Sequence, residues 1–371
     1  MTATLLRFEG VDKSWADGTP VLQGLDLAVP EGEATVLLGP GGSGKAMALA
    51  LAAGLHAPDS GRILLRDRDL AGLPPERRGT VLVSPAQDRF PAGLVPERGG
   101  GLWRWRRTGP GPRGGPGQGS AQGGAQGATL TALLDRLDRD GLAFLARGLA
   151  APAGVPPVLL LDEPFEGLDP AARLGLRLSL RTVQRRLGLT LLHATRDPYE
   201  AMLLADRLAV LDGGVLQQVG TPRQVYERPA TARAARALGE VNLLPGVVLS
   251  AEDGECRVLL DAGPTVEARQ ADVAGAGTRC VVALRPERVV VAPVEAEMLG
   301  EGALPARLLE TVFLGDHVRL RLALGEGGAR RAGELLVTRP ATGGALPQPG
   351  GPAAVALPVA HCHVCRPPDA A

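Results

Sequence analysis

Residues 36–55 read VLLGPGGSGKAMALALAAGL. Three apolar residues, Val36 to Leu38, suit a buried strand, and an alanine- and leucine-rich run from Ala46 suits a helix. Between them lies Gly39-Pro40-Gly41-Gly42-Ser43-Gly44-Lys45, the spacing G-x-x-x-x-G-K of a phosphate-binding P-loop in its strand–loop–helix setting. Glycines let successive backbone N–H groups turn toward an anion, and the helix start adds its positive dipole end. Lys45 supplies a full charge to the β- and γ-phosphates. The next residue should carry a hydroxyl for Mg²⁺, and here it is Ala46, followed by Met47.

The 371 residues are enough for two domains with real cores. Forty basic and forty acidic side chains leave a formal net charge of zero, which speaks against a nucleic-acid surface. No apolar run has the length of a membrane-spanning helix, and MTATLLRFEG lacks a signal-peptide pattern, so a cytoplasmic protein is expected. The four cysteines, all in the last third, do not outline a disulfide scaffold.

Residues 3–36 alternate apolar and polar, with turns at Asp17-Gly18 and Pro30-Glu31-Gly32, which predicts an antiparallel β layer carrying Trp15. Farther on, VPPVLLLDEPFEGLDP (155–170) places a continuous apolar run, Val158 to Leu161, before Asp162 and Glu163. Such a run is a central parallel strand. Asp162 at its carboxyl end can hold Mg²⁺, and Glu163 can orient and deprotonate an attacking water.

With the P-loop, this motif is similar to the ATP-binding subunits of ABC transporters. The resemblance is good over 3–83 and 155–245 and poor over 84–150. It implies an α/β P-loop ATPase domain that works as a dimer, with itself or with another such subunit. ATP and Mg²⁺ would be its cofactors and a membrane permease its partner, on the inner face of the cell membrane. Trp15 would stack on adenine. The hairpin at Asp212-Gly213-Gly214 and the helix with Tyr226 resemble the stretch before the family's carboxyl-terminal domain. A boundary near 238 then divides an ATPase domain, 1–238, from a small OB-like TOBE β-barrel, 239–371. The short alternating runs CRVLL, RCVVALRPERVVV, HVRLRLAL and ELLVTRP predict the barrel's strands. The lone CxxC at Cys362–Cys365 lacks a second ligand pair and is read as part of a terminal strand.

Four departures from the family pattern bear on turnover. Besides Ala46, the glutamine that should end the strand within 77–94 is replaced by Pro85, with Gln87 two residues late. The signature LSGGQ is replaced by Asp135-Arg136-Leu137-Asp138-Arg139, whose aspartates would repel a γ-phosphate. The histidine expected before Asp197 is Arg196, a γ-phosphate contact or a solvent-facing charge, and His193 should face the other side of its strand. Residues 97–128 form a Gly/Pro-rich insert in which disorder is expected from Gly99. An importer ATPase is one reading. A catalytically silent nucleotide-binding module that pairs with another subunit is the other.

Overall fold

The computed structural model describes residues 3–83, 94–99, 102–107, 158–166, 170–270, 275–293, 303–325, 333–342 and 347–367. Pro85, Gln87, the 135–139 stretch and the helical pattern at 130–150 lie outside them. The chain forms two compact units, 1–222 and 223–371.

The first unit has two sheets. Strands β1 (Thr4–Ser14), β2 (Pro20–Pro30), β4 (Ser60–Leu65) and β5 (Arg68–Asp69) make the antiparallel layer, in the order β2-β1-β4-β5. The second sheet contains β3 (Ala34–Leu38), β6 (Thr80–Val83), β9 (Val158–Asp162), β10 (Leu191–Thr195), β11 (Arg207–Asp212) and β12 (Val215–Gly220). Its order is β12-β11-β3-β10-β9-β6; β11, β3, β10, β9 and β6 run parallel and β12 is antiparallel. All five residues of β3 and of β10 are buried, as central parallel strands covered on both faces require.

Helix α1 (Lys45–Ala53) is buried on nearly every side, and its alanines let it approach the sheet closely. It stops at Gly54, in the left-handed region at φ +83°, whose N–H bonds back to Ala50 and Leu51. Phe8, Leu25, Leu37, Leu49, Leu160 and Leu192 join both sheets and α1 into one core. Because β3, β9 and β10 are parallel, the segments leaving their carboxyl ends emerge at one edge of the sheet, where α/β proteins place their sites. Those segments are the P-loop, Asp162-Glu163 and Arg196.

One expectation is corrected. Against the disorder that the composition predicts from Gly99, β7 (Leu94–Gly99) and β8 (Leu102–Arg107) pair as an antiparallel ribbon, with Leu94 opposite Arg107 and Gly99 opposite Leu102. Tryptophans alternating with arginines at 103–106 have the period and the propensity of a strand, and this outweighs the surrounding composition.

The second unit begins with two short helices, Pro222–Glu227 (shared with the boundary) and Ala232–Ala237. Strands β13 (Asn242–Glu252), β14 (Glu255–Leu260), β15 (Thr265–Gln270), β16 (Arg279–Leu284) and β22 (His363–Cys365) close a barrel. A further five-stranded sheet lies beside it in the same unit, formed by β17 (Val290–Pro293), β18 (Leu304–Phe313), β19 (His317–Leu324), β20 (Glu334–Pro340) and β21 (Pro352–Ala356). Burial alternates strictly along Glu255–Leu260, so one face feeds a core of Val248, Val258, Val282, Leu320 and Val355. Cys362 is buried in that core and Cys365 in a smaller cluster with Ala235, Val281 and Ala283; neither is in a disulfide, and both thiols are pushed up to about 12, chiefly by burial. Among the described residues no His/Cys/Asp/Glu group is arranged to hold a metal.

Candidate nucleotide-binding site

An open cleft of about 300 Å³ lies in the first unit. It is lined by Trp15 and Val21, by the loop from Gly41 to Met47, and by Asp162, Glu163 and Arg196. Gly39 and Pro40 lie outside the lining. A Cβ at Gly39 would overlap the Leu211 carbonyl, so that glycine serves close backbone approach. Sequence reasoning missed His56 and Ala50, which also line the cleft. His56 carries no motif; it arrives there because Gly54 turns the chain at the end of α1.

The loop is built to present donors. Gly44 sits at φ +99°, a region costly to any residue with a Cβ, and an added Cβ would lie 2.7 Å from Leu22 Cδ2 and from the Val21 carbonyl. Among the described residues the backbone N–H groups of Gly42, Gly44, Lys45 and Ala46 have no protein acceptor, the condition that lets a helix start bind an anion. Lys45 is buried, and its Nζ donates to Gly39 O at 2.7 Å, Pro40 O at 2.8 Å and Ser43 Oγ at 3.2 Å. Burial lowers its pKa, Glu163 and Asp162 oppose this, and Arg196 adds to it.

Trp15 follows β1 in a tight turn, where its N–H bonds Thr19 O at 2.8 Å and its carbonyl accepts from Gly18 at 2.9 Å. The indole is 54% exposed at the cleft, an open apolar face suited to a planar base.

Asp162 ends β9. Burial and the neighbouring Glu163 push its carboxyl up, against the pull of Lys45, His193 and Arg196. Glu163 stands at φ +44°, a left-handed conformation of the kind found at functional sites, and its N–H bonds to Ala194 O at 3.0 Å. Arg196 Nε donates to Glu163 Oε1 at 2.7 Å, while its Nη1 lies 3.5 Å from where a Gly41 Cβ would be. The bond it donates to Glu163 holds the guanidinium above its usual value.

His193 does not line the cleft. It is 1% exposed, its Nε2 pairs with Glu200 Oε1 at 2.7 Å, and its ring tilts against Phe165 at 6.2 Å. Arg177 completes this buried cluster with a 2.8 Å bond to Glu200 Oε2. Burial raises the Glu200 carboxyl, but His193 and Arg177 bring it below its usual value.

The donor set can be tested against the cofactors. Unpaired loop amides, Lys45 and an exposed indole fit a nucleoside triphosphate. For Mg²⁺ the chain offers Asp162 but no hydroxyl at Ala46. That suits an ion whose other ligands are phosphate oxygens and water.

The sequence profile of the ABC transporter family matches residues 22–143, and that of the TOBE domain matches 282–365. The spermidine/putrescine import ATP-binding protein PotA of Frankia alni is 34% identical over 321 residues, 82% of this chain and 67% of that protein. The Fe(3+) ions import ATP-binding protein FbpC of Brucella abortus is 34% identical over 345 residues, 92% of each chain. The chain belongs to the ABC importer ATP-binding subunits that carry a TOBE domain. PotA of Lawsonia intracellularis, 31% identical over 89% of both chains, is a further relative. Membership places the chain in an ATPase family that uses ATP and typically Mg²⁺ and works with membrane permease subunits. No described helix is long and apolar enough to cross a membrane.

Proposed function

We propose that this ABC subunit binds ATP between Trp15 and Asp162–Glu163, energises import of a small solute through a separate permease, and has hydrolysis restrained by its own Arg196. The observation that carries this reading is the 2.7 Å ion pair from Arg196 to Glu163. Trp15 stacks on the base, and the Gly41–Ala46 amides with Lys45 hold the phosphates. Asp162 holds Mg²⁺, which supplies charge neutralisation on the phosphates. Glu163 is the base for the attacking water, and its Oε1 is taken up by the Arg196 Nε–H instead of being open to that water. The relatives are named for spermidine/putrescine and for Fe(3+), so a polyamine-like or other small solute fits this branch. The subunit sits on the inner face of the membrane, paired with a second ATP-binding domain that is either its own copy or another chain.

A second reading is favoured by Ala46 together with Arg196: a nucleotide-binding module without turnover, pairing with a complete subunit. Equilibrium binding and steady-state hydrolysis of Mg²⁺–ATP by the full chain separate the two. ATP binding lost in Lys45→Ala, with turnover below about 1 s⁻¹ that disappears in Glu163→Gln, supports the restrained ATPase. Binding with no turnover above the Glu163→Gln background supports the module. Absence of ATP binding overturns both.

A further inference from the structure

Beyond the phosphate loop and its charged neighbours, the nucleotide cleft is lined by Trp15, Val21, Met47, Ala50 and His56. Apart from the indole N–H, His56 is the one side chain among these five that can make a hydrogen bond. Its ring is exposed, and among the described residues it holds no hydrogen bond or ion pair.

The chain carries His56 away from the phosphates and toward the segment of Trp15. Lys45 opens α1 and Gly54 closes it, so at about 1.5 Å of rise per residue the helix ends roughly 13 Å beyond that lysine. His56 follows two residues later, and three residues on the chain is fastened to the end of β1. Asp59 accepts from Lys13 Nζ at 2.6 Å and from the Ser14 N–H at 2.6 Å, and its own N–H donates to Asp12 O at 2.9 Å. Ser60 Oγ adds a 2.6 Å bond to Asp12 Oδ2. Trp15 is the residue after Ser14, so these four bonds fix the loop of His56 against the strand that ends in the indole.

A base stacked on Trp15 presents ring nitrogens and exocyclic groups at its edge, and polar groups covered on binding need partners. Val21, Met47 and Ala50 offer none. We infer that His56 is a further binding residue of this cleft, one of its ring nitrogens hydrogen-bonding the edge of the base whose face lies on Trp15. The inference rests on the ATP reading of the cleft and names the partner of the base, which that reading leaves open. A neutral imidazole has one donor and one acceptor, so it can meet a ring nitrogen or an exocyclic amino group.

The test is equilibrium dialysis of the full chain and of His56→Ala, His56→Phe and His56→Gln, each with Mg²⁺ and three ligands. ATP is the first; ribose 5-triphosphate lacks the base, and inorganic tripolyphosphate lacks base and sugar. His56→Ala and His56→Phe should bind ATP about fivefold more weakly, the effect of one neutral hydrogen bond. Their affinity for the other two ligands should not change, and His56→Gln, whose amide keeps a donor and an acceptor, should retain most of the ATP affinity. Unchanged ATP affinity in His56→Ala overturns the inference. Full ATP affinity in His56→Phe does so as well, since the ring would then act by packing. An equal loss for ribose 5-triphosphate or tripolyphosphate moves the contact to the sugar or the phosphates and also overturns it. Native chain that binds tripolyphosphate but gains nothing from the base refutes this inference and leaves the phosphate site standing. Native chain that binds none of the three refutes the ATP reading itself.

Discussion

Arg196 Nε and Glu163 Oε1 stand 2.7 Å apart at the edge of the nucleotide cleft, joining the segment after β10 to the residue after β9. On the proposed reading the arginine occupies the group that would activate water, and the pair would hold the guanidinium's charge from the phosphates. Glu163→Gln releases that charge. The variant should bind ATP about fivefold more tightly than the native chain, the effect of about 1 kcal/mol for a partly exposed ion pair, as equilibrium dialysis would show. Weaker binding would mean that Arg196 does not reach the phosphates.

Lys45 is satisfied by Gly39 O, Pro40 O and Ser43 Oγ and must leave them to meet a phosphate. A charge-assisted bond to phosphate contributes about 1.5–3 kcal/mol. Lys45→Ala should therefore weaken ATP affinity by at least about tenfold, measured by the same dialysis.

Ala46 is exposed at the start of α1, so a larger side chain meets no packing penalty there. Ala46→Thr adds the missing hydroxyl. The Mg²⁺ concentration needed for half-maximal ATP binding should fall about tenfold. An unchanged Mg²⁺ requirement would show that the ion lies elsewhere.

Gly44→Ala tests the loop as architecture. At φ +99°, with Leu22 and Val21 2.7 Å from the new methyl, the variant should lose about 2 kcal/mol or more of stability in thermal unfolding.

His363 makes a pH prediction. Its pKa is lowered in the folded chain to about 4 from an unfolded value near 6.5. Below the unfolded value the unfolded chain takes up a proton that the folded chain refuses. Stability from this group is thus lost as pH falls from about 6.5 to about 4. His363→Gln should show a shallower fall in melting temperature across that window, in phosphate-free buffer, than the native chain.

The P-loop, Asp162-Glu163 and the strands around them were legible because each is local: an apolar run, a turn, and a residue fixed at a strand end. The strands of the second unit were legible for the same reason, since alternation at 255–260 and 317–324 is written in adjacent residues, but their division was not: HVRLRLAL and ELLVTRP, expected in the barrel, lie in the separate five-stranded sheet. His193 was placed correctly away from the cleft by the two-residue period of a strand. What Arg196 does was not legible. A solvent charge and a phosphate contact were the alternatives, and the actual partner, Glu163, follows strand β9, 33 positions earlier in the chain.

The most direct test of the restraint is steady-state Mg²⁺–ATP hydrolysis by the full chain beside Arg196→His and Arg196→Ala, with Glu163→Gln as the zero. Freeing Glu163 from a partly exposed ion pair should raise turnover about fivefold in Arg196→Ala and at least as much in Arg196→His. Turnover that stays level or falls in both variants, while ATP binding is retained, would contradict the account.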